Sequence, residues 1–276
     1  MINVTKNTKE IKGRIMSDEM RKIIEACYQH FSKFQKPSQL SVCSCGFCVS
    51  SSDVEYLLSQ SLKEILVSKI YCYMDDIGED SISAPEILYF LPRVLELIAY
   101  NEHVAMCTEL YLQKFGKIKP NHLDQKDFEL VNHFALQFWM DWLQSVSERT
   151  TQNNYELSEV LVMFAYANLS IEPLLNHLNG LTNFWVVSKI AELIFDEREE
   201  GTLTNAFANH CMNINSEINQ WLQNNAKTLS KNAQVAVLNM PDLAWQNKTK
   251  IDYLRDEYLL AMCDEANILA TLPSNS

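Results

Sequence analysis

The chain has 276 residues, 47% of them hydrophobic and 21% charged, which is enough apolar side chain for a sizeable core in one long domain or two small ones. Its net charge of −12 argues against a non-specific nucleic-acid binder and against attachment to an anionic membrane surface. With 6 glycines and 7 prolines it is short of the turn residues that all-β and α/β folds use, so helices joined by polar turns are favoured.

Residues 1–16 carry basic side chains but no apolar run of signal-peptide length, and are expected to form a flexible tail. No uninterrupted apolar stretch is long enough to span a bilayer. Met20, Ile23, Ile24, Cys27, Tyr28, Phe31 and Phe34 recur at spacings of three and four, one face of a helix. Ser17 is its expected N-cap, and Asp18 and Glu19 complement the positive end of the helix dipole. A second helix is expected to open on a capping box at Ser52 and Glu55, and Ser61 and Glu64 repeat that signature. A further helix runs through Ile70, Tyr73, Met74 and Ile77 and ends near Gly78.

The segment SISAPEILYFLPRVLELIAY starts well, with Ser83, Glu86 and Pro85 in the first turn. Pro92 then predicts a kink or break, because it has no N–H to donate and its ring crowds the preceding turn. A helix from about 102 to 115 follows. The polar run GKIKPNHLDQKD marks a weak internal boundary near 116–127. Beyond it, Leu130, Phe134, Phe138 and Trp142 lie near one helix face, and YELSEVLVMFAYANL is apolar almost all round, as a central helix would be. Five more helix-length runs reach the C-terminus, with NINSEINQWLQNN and AKTLSKNAQVAVL read as two of them. About a dozen helices with brief connections result. The expected fold is all-α, a single domain over 17–276 built as an irregular, solenoid-like array of antiparallel helix pairs.

Eight cysteines without an export signal are most simply thiols in a reducing compartment. Cys27, Cys72, Cys107, Cys211 and Cys263 sit singly in apolar patterns, where cysteine acts as a small hydrophobe. The other three, in CSCGFC, are the most specific feature of the chain. Cys45 and Cys48 have the spacing that chelates one zinc from a tight turn, and Cys43 offers a third ligand. A structural zinc takes four, and downstream no second Cys-x-x-Cys pair or His-x-x-x-His supplies the last. Cys27 or His30 reaches it only if the loop folds back. A buried loop of small residues remains the simpler alternative, and no thioredoxin-like βαβ pattern supports a redox role.

No Gly-x-Ser-x-Gly, phosphate-binding or dinucleotide-binding glycine motif occurs, and no two histidines lie four apart, so no catalytic residue is assigned. Two acidic knots stand out. DDIGED contributes Asp75, Asp76, Glu79 and Asp80; FDEREEG contributes Asp196, Glu197, Glu199 and Glu200. Carboxylates at the C-terminal ends of helices oppose the dipole, which marks both knots as candidate partner-binding surfaces. A solvated turn is the plainer use of either. Arg93, one cation in an apolar run, requires a carboxylate such as Glu96.

The segment from Phe90 to Leu97, Phe-Leu-Pro-Arg-x-Leu-Glu-Leu, together with Cys45 and Cys48, resembles an uncharacterised bacterial all-helical family. The likeness extends weakly through PLLNHL, LTNFW and INQWL, over roughly residues 20–240. Ile87-Leu88-Tyr89 departs from the aromatic-basic pair of that family. Some of its members sit beside secreted-toxin genes, so the resemblance implies a cytoplasmic immunity protein. Such a protein would be non-enzymatic and would bind a basic cognate toxin, without nucleic acid or membrane as partner. The alternative is a metal-binding enzyme or regulator built on the loop from Cys43 to Cys48, with zinc as its cofactor.

Overall fold

A computed structural model describes residues 16–43, 48–76, 83–149, 155–240 and 250–273. Among them the fold is all-α. The N-terminal half holds α1 (Asp18–Phe31), α2 (Ser51–Ser59), α3 (Val67–Asp75), α4 (Ala84–Ala99), α5 (Gln113–Gly116) and α6 (Gln125–Ser147). The C-terminal half holds α7 (Leu157–Tyr166), α8 (Glu172–Leu178), α9 (Phe184–Phe195), α10 (Ile214–Leu238), α11 (Lys250–Met262) and α12 (Glu265–Ala270). One two-stranded antiparallel ribbon, β1 (Arg198–Glu199) and β2 (Thr202–Leu203), interrupts the helices. The expected tail, apart from Met16, lies outside the described residues. No described helix is long and apolar enough to cross a membrane.

A continuous apolar core runs from Met16 to Ile268. Helix α1 packs on α4 and α6, α9 on α6 and α11, and α10 on α7, α8 and α12. These contacts skip along the chain, so the array is irregular and not a stack in which each unit meets only its neighbours. Helix α7 is central, as its pattern predicts: Val160, Leu161, Val162, Met163 and Phe164 are all wholly buried. The core does not stop at 116–127. Phe115 and Ile118 belong to it, and a Cβ on Gly116 would lie 1.7 Å from the carbonyl oxygen of Tyr166. That close approach, which only glycine permits, seats the segment directly on α7.

The local signals hold in part. The Ser17 side chain accepts from the backbone N–H of Met20, as expected of a cap. The capping box of α2 is Ser50 with Asp53, two residues before the expected pair, because Ser50 holds the extended backbone that precedes the helix. Ser61 donates to Glu64 at 2.6 Å but opens only a 3-10 turn. Helix α4 does not break at Pro92. Twelve of its sixteen residues are buried, and packing on both sides of the proline outweighs one missing hydrogen bond. Arg93 pairs with Glu96 at 2.6 Å and donates twice to the carbonyl of Ile65.

Three expectations fail for identifiable reasons. The run 102–115 is not one helix but a loop, a 3-10 turn and the single turn of α5, drawn out by tertiary bonds such as Met106 N–H to Asp75. The two helices expected over 213–238 are one, α10, since Asn224 and Asn225 are polar yet neither breaks a helix as glycine or proline does. The last run splits instead, where Asp264 caps α12 by accepting from the N–H of Ala266.

Candidate functional site

Two places collect the residues that could carry chemistry. The first is the junction of the cysteine loop with the end of α3. Cys43 and Cys48 flank residues 44–47, and Asp76 is the C-terminal cap residue of α3. One donor atom from each of these three side chains lies within 4.8 Å of the others. Cys43 is partly exposed and Cys48 exposed. The Asp76 side chain has no exposed area.

Several elements converge to hold Asp76. Both its carboxylate oxygens accept from the backbone N–H of Cys43, at 3.0 and 3.2 Å. Lys114 of α5 donates to the Asp76 carbonyl at 3.1 Å, and its Nζ stands 3.8 Å from the carboxylate. Gln113 donates to the carbonyl of Met74 at 3.0 Å, so α5 satisfies the carbonyl groups that α3 leaves open at its end. Burial lowers the pKa of Lys114, and the Asp76 carboxylate opposes that shift. Glu86 lies alongside, accepting from Tyr73 at 3.0 Å and from the N–H of Ser41 at 2.9 Å.

This geometry corrects one expectation. Asp76 is 3% exposed and cannot belong to a solvent-facing acidic patch. Its neighbour Asp75 is half-buried and accepts from Met106 N–H at 2.7 Å. Glu79 and Asp80 lie outside the described residues, as does Cys45. Neither Cys27 nor His30 joins Cys43 and Cys48: Cys27 is wholly buried in the core, where burial pushes its thiol up to about 12. His30 faces α6 instead, with Nε2 at 2.7 Å from Asp127 and 3.9 Å from Asp124. Lys33 bonds both carboxylates of that group, at 2.7 and 3.2 Å, and with the backbone N–H of Asp127 holds Asp124 down to about 2. An ammonium already fills the cation's place there, and Asp124 with Asp127 is also the capping box of α6.

The second place follows the other acidic knot. Helix α9 ends at Phe195, and the chain turns through Glu200 at φ 46° and Gly201 at φ 81° into the ribbon. Two successive positive φ values make the tight two-residue turn that matches strand twist. Arg198 points inward and bonds Asn219 of α10, and burial lowers its guanidinium to about 10. Asn215 of α10 accepts from the N–H of Leu203, and Asn219 donates to the carbonyl of Gly201, so the ribbon is tied down.

Between α7, α9, the residues that follow the ribbon (Thr204 and Asn205) and α11 opens a cleft of about 500 Å³. Five carboxylates line it, those of Glu156, Glu159, Glu192, Asp196 and Glu197, against the one ammonium of Lys189. Lys189 bonds Glu156 and lies 2.8 Å from Glu192. Tyr258 donates to Asp196 at 2.9 Å. Asp196, Glu199 and Glu200 are exposed, whereas one carboxylate oxygen of Glu197 is buried with no hydrogen-bond partner among the described residues. Burial raises the Glu197 carboxyl to about 7, with Glu156 and Glu192 adding to the shift and Ser158 and Lys189 opposing it. Burial also raises Glu159.

The sequence singles out Asp196 and Glu197 but not Glu156, Glu159 or Glu192. The last three carry no local signal of their own, and only the approach of α7 and α9 brings them together. No protein-family model matches this chain, and no curated protein or solved structure matches it.

Proposed function

We propose that this chain is a non-enzymatic binding protein of the immunity kind, which takes a basic element of a cognate secreted toxin into the acidic cleft. The observation that carries the reading is the cleft itself, with five carboxylates and one ammonium around about 500 Å³. An ammonium or guanidinium group entering it finds carboxylate acceptors from the start of α7 and from the end of α9, and charge-assisted bonds of this kind are the strong ones. Exposed Glu199 and Glu200 at the tip of the ribbon extend the negative field outward, where it speeds encounter with a cationic surface.

The test is neutralisation. The reading predicts a toxin encoded beside this gene; co-expression with it is expected to protect cells, and the purified pair to form a tight complex. Glu199→Lys with Glu200→Lys reverses two exposed charges. It should slow association by about 10-fold at low salt, with the gap closing as salt rises. Absence of protection, or an association rate that ignores both the reversal and the salt, would sink the reading.

A further inference from the structure

We propose that Cys43, Cys48 and Asp76 bind one divalent ion of the zinc class, which pins the cysteine loop to the end of α3. This goes beyond the cleft and does not depend on it. Two thiolates and a carboxylate form a donor set that suits zinc over magnesium or calcium, which prefer oxygen alone.

The geometry is close to what an ion needs. Donors around one tetrahedral zinc lie roughly 3.3–3.8 Å apart, and the three donor atoms here already lie within 4.8 Å of one another. A small contraction brings all three onto one ion, and solvent at the exposed Cys48 side can complete the four positions that zinc takes. Asp76 is held for it in advance, since its carboxylate has no exposed area and is oriented by the N–H of Cys43, itself a proposed ligand. Hydrogen bonds to ligating carboxylates fix them in this way in metal sites generally. The charge also balances. Each thiol loses its proton as the ion enters, so two thiolates match the added charge of +2. The buried Lys114 goes on facing the same carboxylate. Cys48 stands exposed, two residues before the cap of α2, and gives the ion a way in. Bound there, it cross-links the start of α2, the loop after α1 and the end of α3.

The sequence points to the cysteines but leaves the site short of a ligand. Asp76 is the ligand that only the fold reveals.

Reduced, metal-free full-length protein should take up one zinc per chain in competition with a chromophoric chelator. Its thermal midpoint should rise as it does so. Cys43→Ser and Cys48→Ser should each weaken binding by at least ~100-fold, and Asp76→Asn by at least ~10-fold. Cobalt loaded into the unmutated chain should show thiolate-to-cobalt charge-transfer absorption and the intense visible bands of a tetrahedral ion. That readout needs no variant to fold. Failure to take up zinc, cobalt bound without the charge-transfer bands, or zinc retained by the Cys43→Ser/Cys48→Ser double variant would overturn the proposal. So would an Asp76→Asn chain that is folded and binds as tightly as the original.

Discussion

Two acidic stretches, DDIGED at 75–80 and FDEREEG at 195–201, each close a helix and look alike in composition. The fold treats them differently. At the end of α3 the two described carboxylates are both engaged within the fold: Asp75, half-buried, takes the N–H of Met106, and the buried Asp76 takes the N–H of Cys43 beside the buried Lys114. At the end of α9 the chain turns back on itself in a ribbon, and Asp196, Glu199 and Glu200 stay in water at the edge of an acidic cleft. A carboxylate at a helix C-terminus opposes the dipole in both places. In the first, amide hydrogens and an ammonium from distant segments offset that cost within the fold. In the second, the only described cation in the cleft is Lys189, so a cationic partner has something to contribute.

The sharpest way to break this contrast is to remove one carboxylate from each stretch. Asp76→Ala leaves Lys114 buried beside an empty place and the Cys43 N–H unbonded. It should cost about 3 kcal/mol, as breaking buried pairs does. Asp196→Ala loses one exposed bond from Tyr258 and should cost under about 1 kcal/mol. Urea unfolding in the presence of a chelator, which removes any contribution from metal, compares the two. Equal losses would mean that the two stretches are not distinct.

Glu197 sharpens the contrast further, because one of its carboxylate oxygens is buried with no hydrogen-bond partner among the described residues. Its pKa stands at about 7 against an ordinary 4.5. The folded chain therefore keeps this proton to a higher pH than the unfolded chain does. Stability falls as pH rises from about 4.5 to about 7 and receives no further loss from this group above that. Glu197→Gln cannot ionise and should match the original chain at pH ~4 while exceeding it by about 1–3 kcal/mol at pH ~8. A difference that stays constant with pH would show that burial does not hold the proton on. A cationic partner needs the ionised form, so its affinity for the original chain should strengthen across the same interval.

The turn of the ribbon comes next in size. A Cβ at Gly201 would meet Pro273 at 2.6 Å, on backbone at φ 81°. Gly201→Ala should cost about 1–3 kcal/mol, read as a lowered urea midpoint with an unchanged slope. Neither Asp75 nor Asp76, the two described residues of the other stretch, has a positive φ.

What the sequence discloses follows from how far each signal reaches. The cap of α1 at Ser17, the buried face of α6 and the pairing of Arg93 with Glu96 involve residues within a few turns of one another, and all are legible. The inward turn of Asp76 depends on partners 33 and 38 residues away, Cys43 and Lys114. No local pattern announces them. The cleft is hidden for the same reason, since Glu156 is the N-cap residue of α7 and Glu159 lies in its first turn, while Glu192 belongs to α9. The cysteine loop lies between these extremes. Its spacing points to a metal, and the fold alone brings up the carboxylate that joins Cys43 and Cys48.

The smallest expected effect tests why the second stretch is acidic at all. Glu200 sits at φ 46°, in the left-handed region that costs an ordinary side chain about 1 kcal/mol and that asparagine tolerates better. The favoured pair for this turn is Asn-Gly, and the chain has Glu-Gly. Glu200→Asn should therefore raise stability, by about 0.5 kcal/mol, while removing a charge from the ribbon tip. If the charge steers a basic partner, the same substitution should slow association by about 2-fold at low salt and leave dissociation unchanged. Paired stability and association measurements on this one variant separate the two roles. A chain that becomes more stable and binds just as fast has no use for the glutamate in recognition. One that becomes more stable and binds more slowly is holding strain at the turn for the sake of its partner.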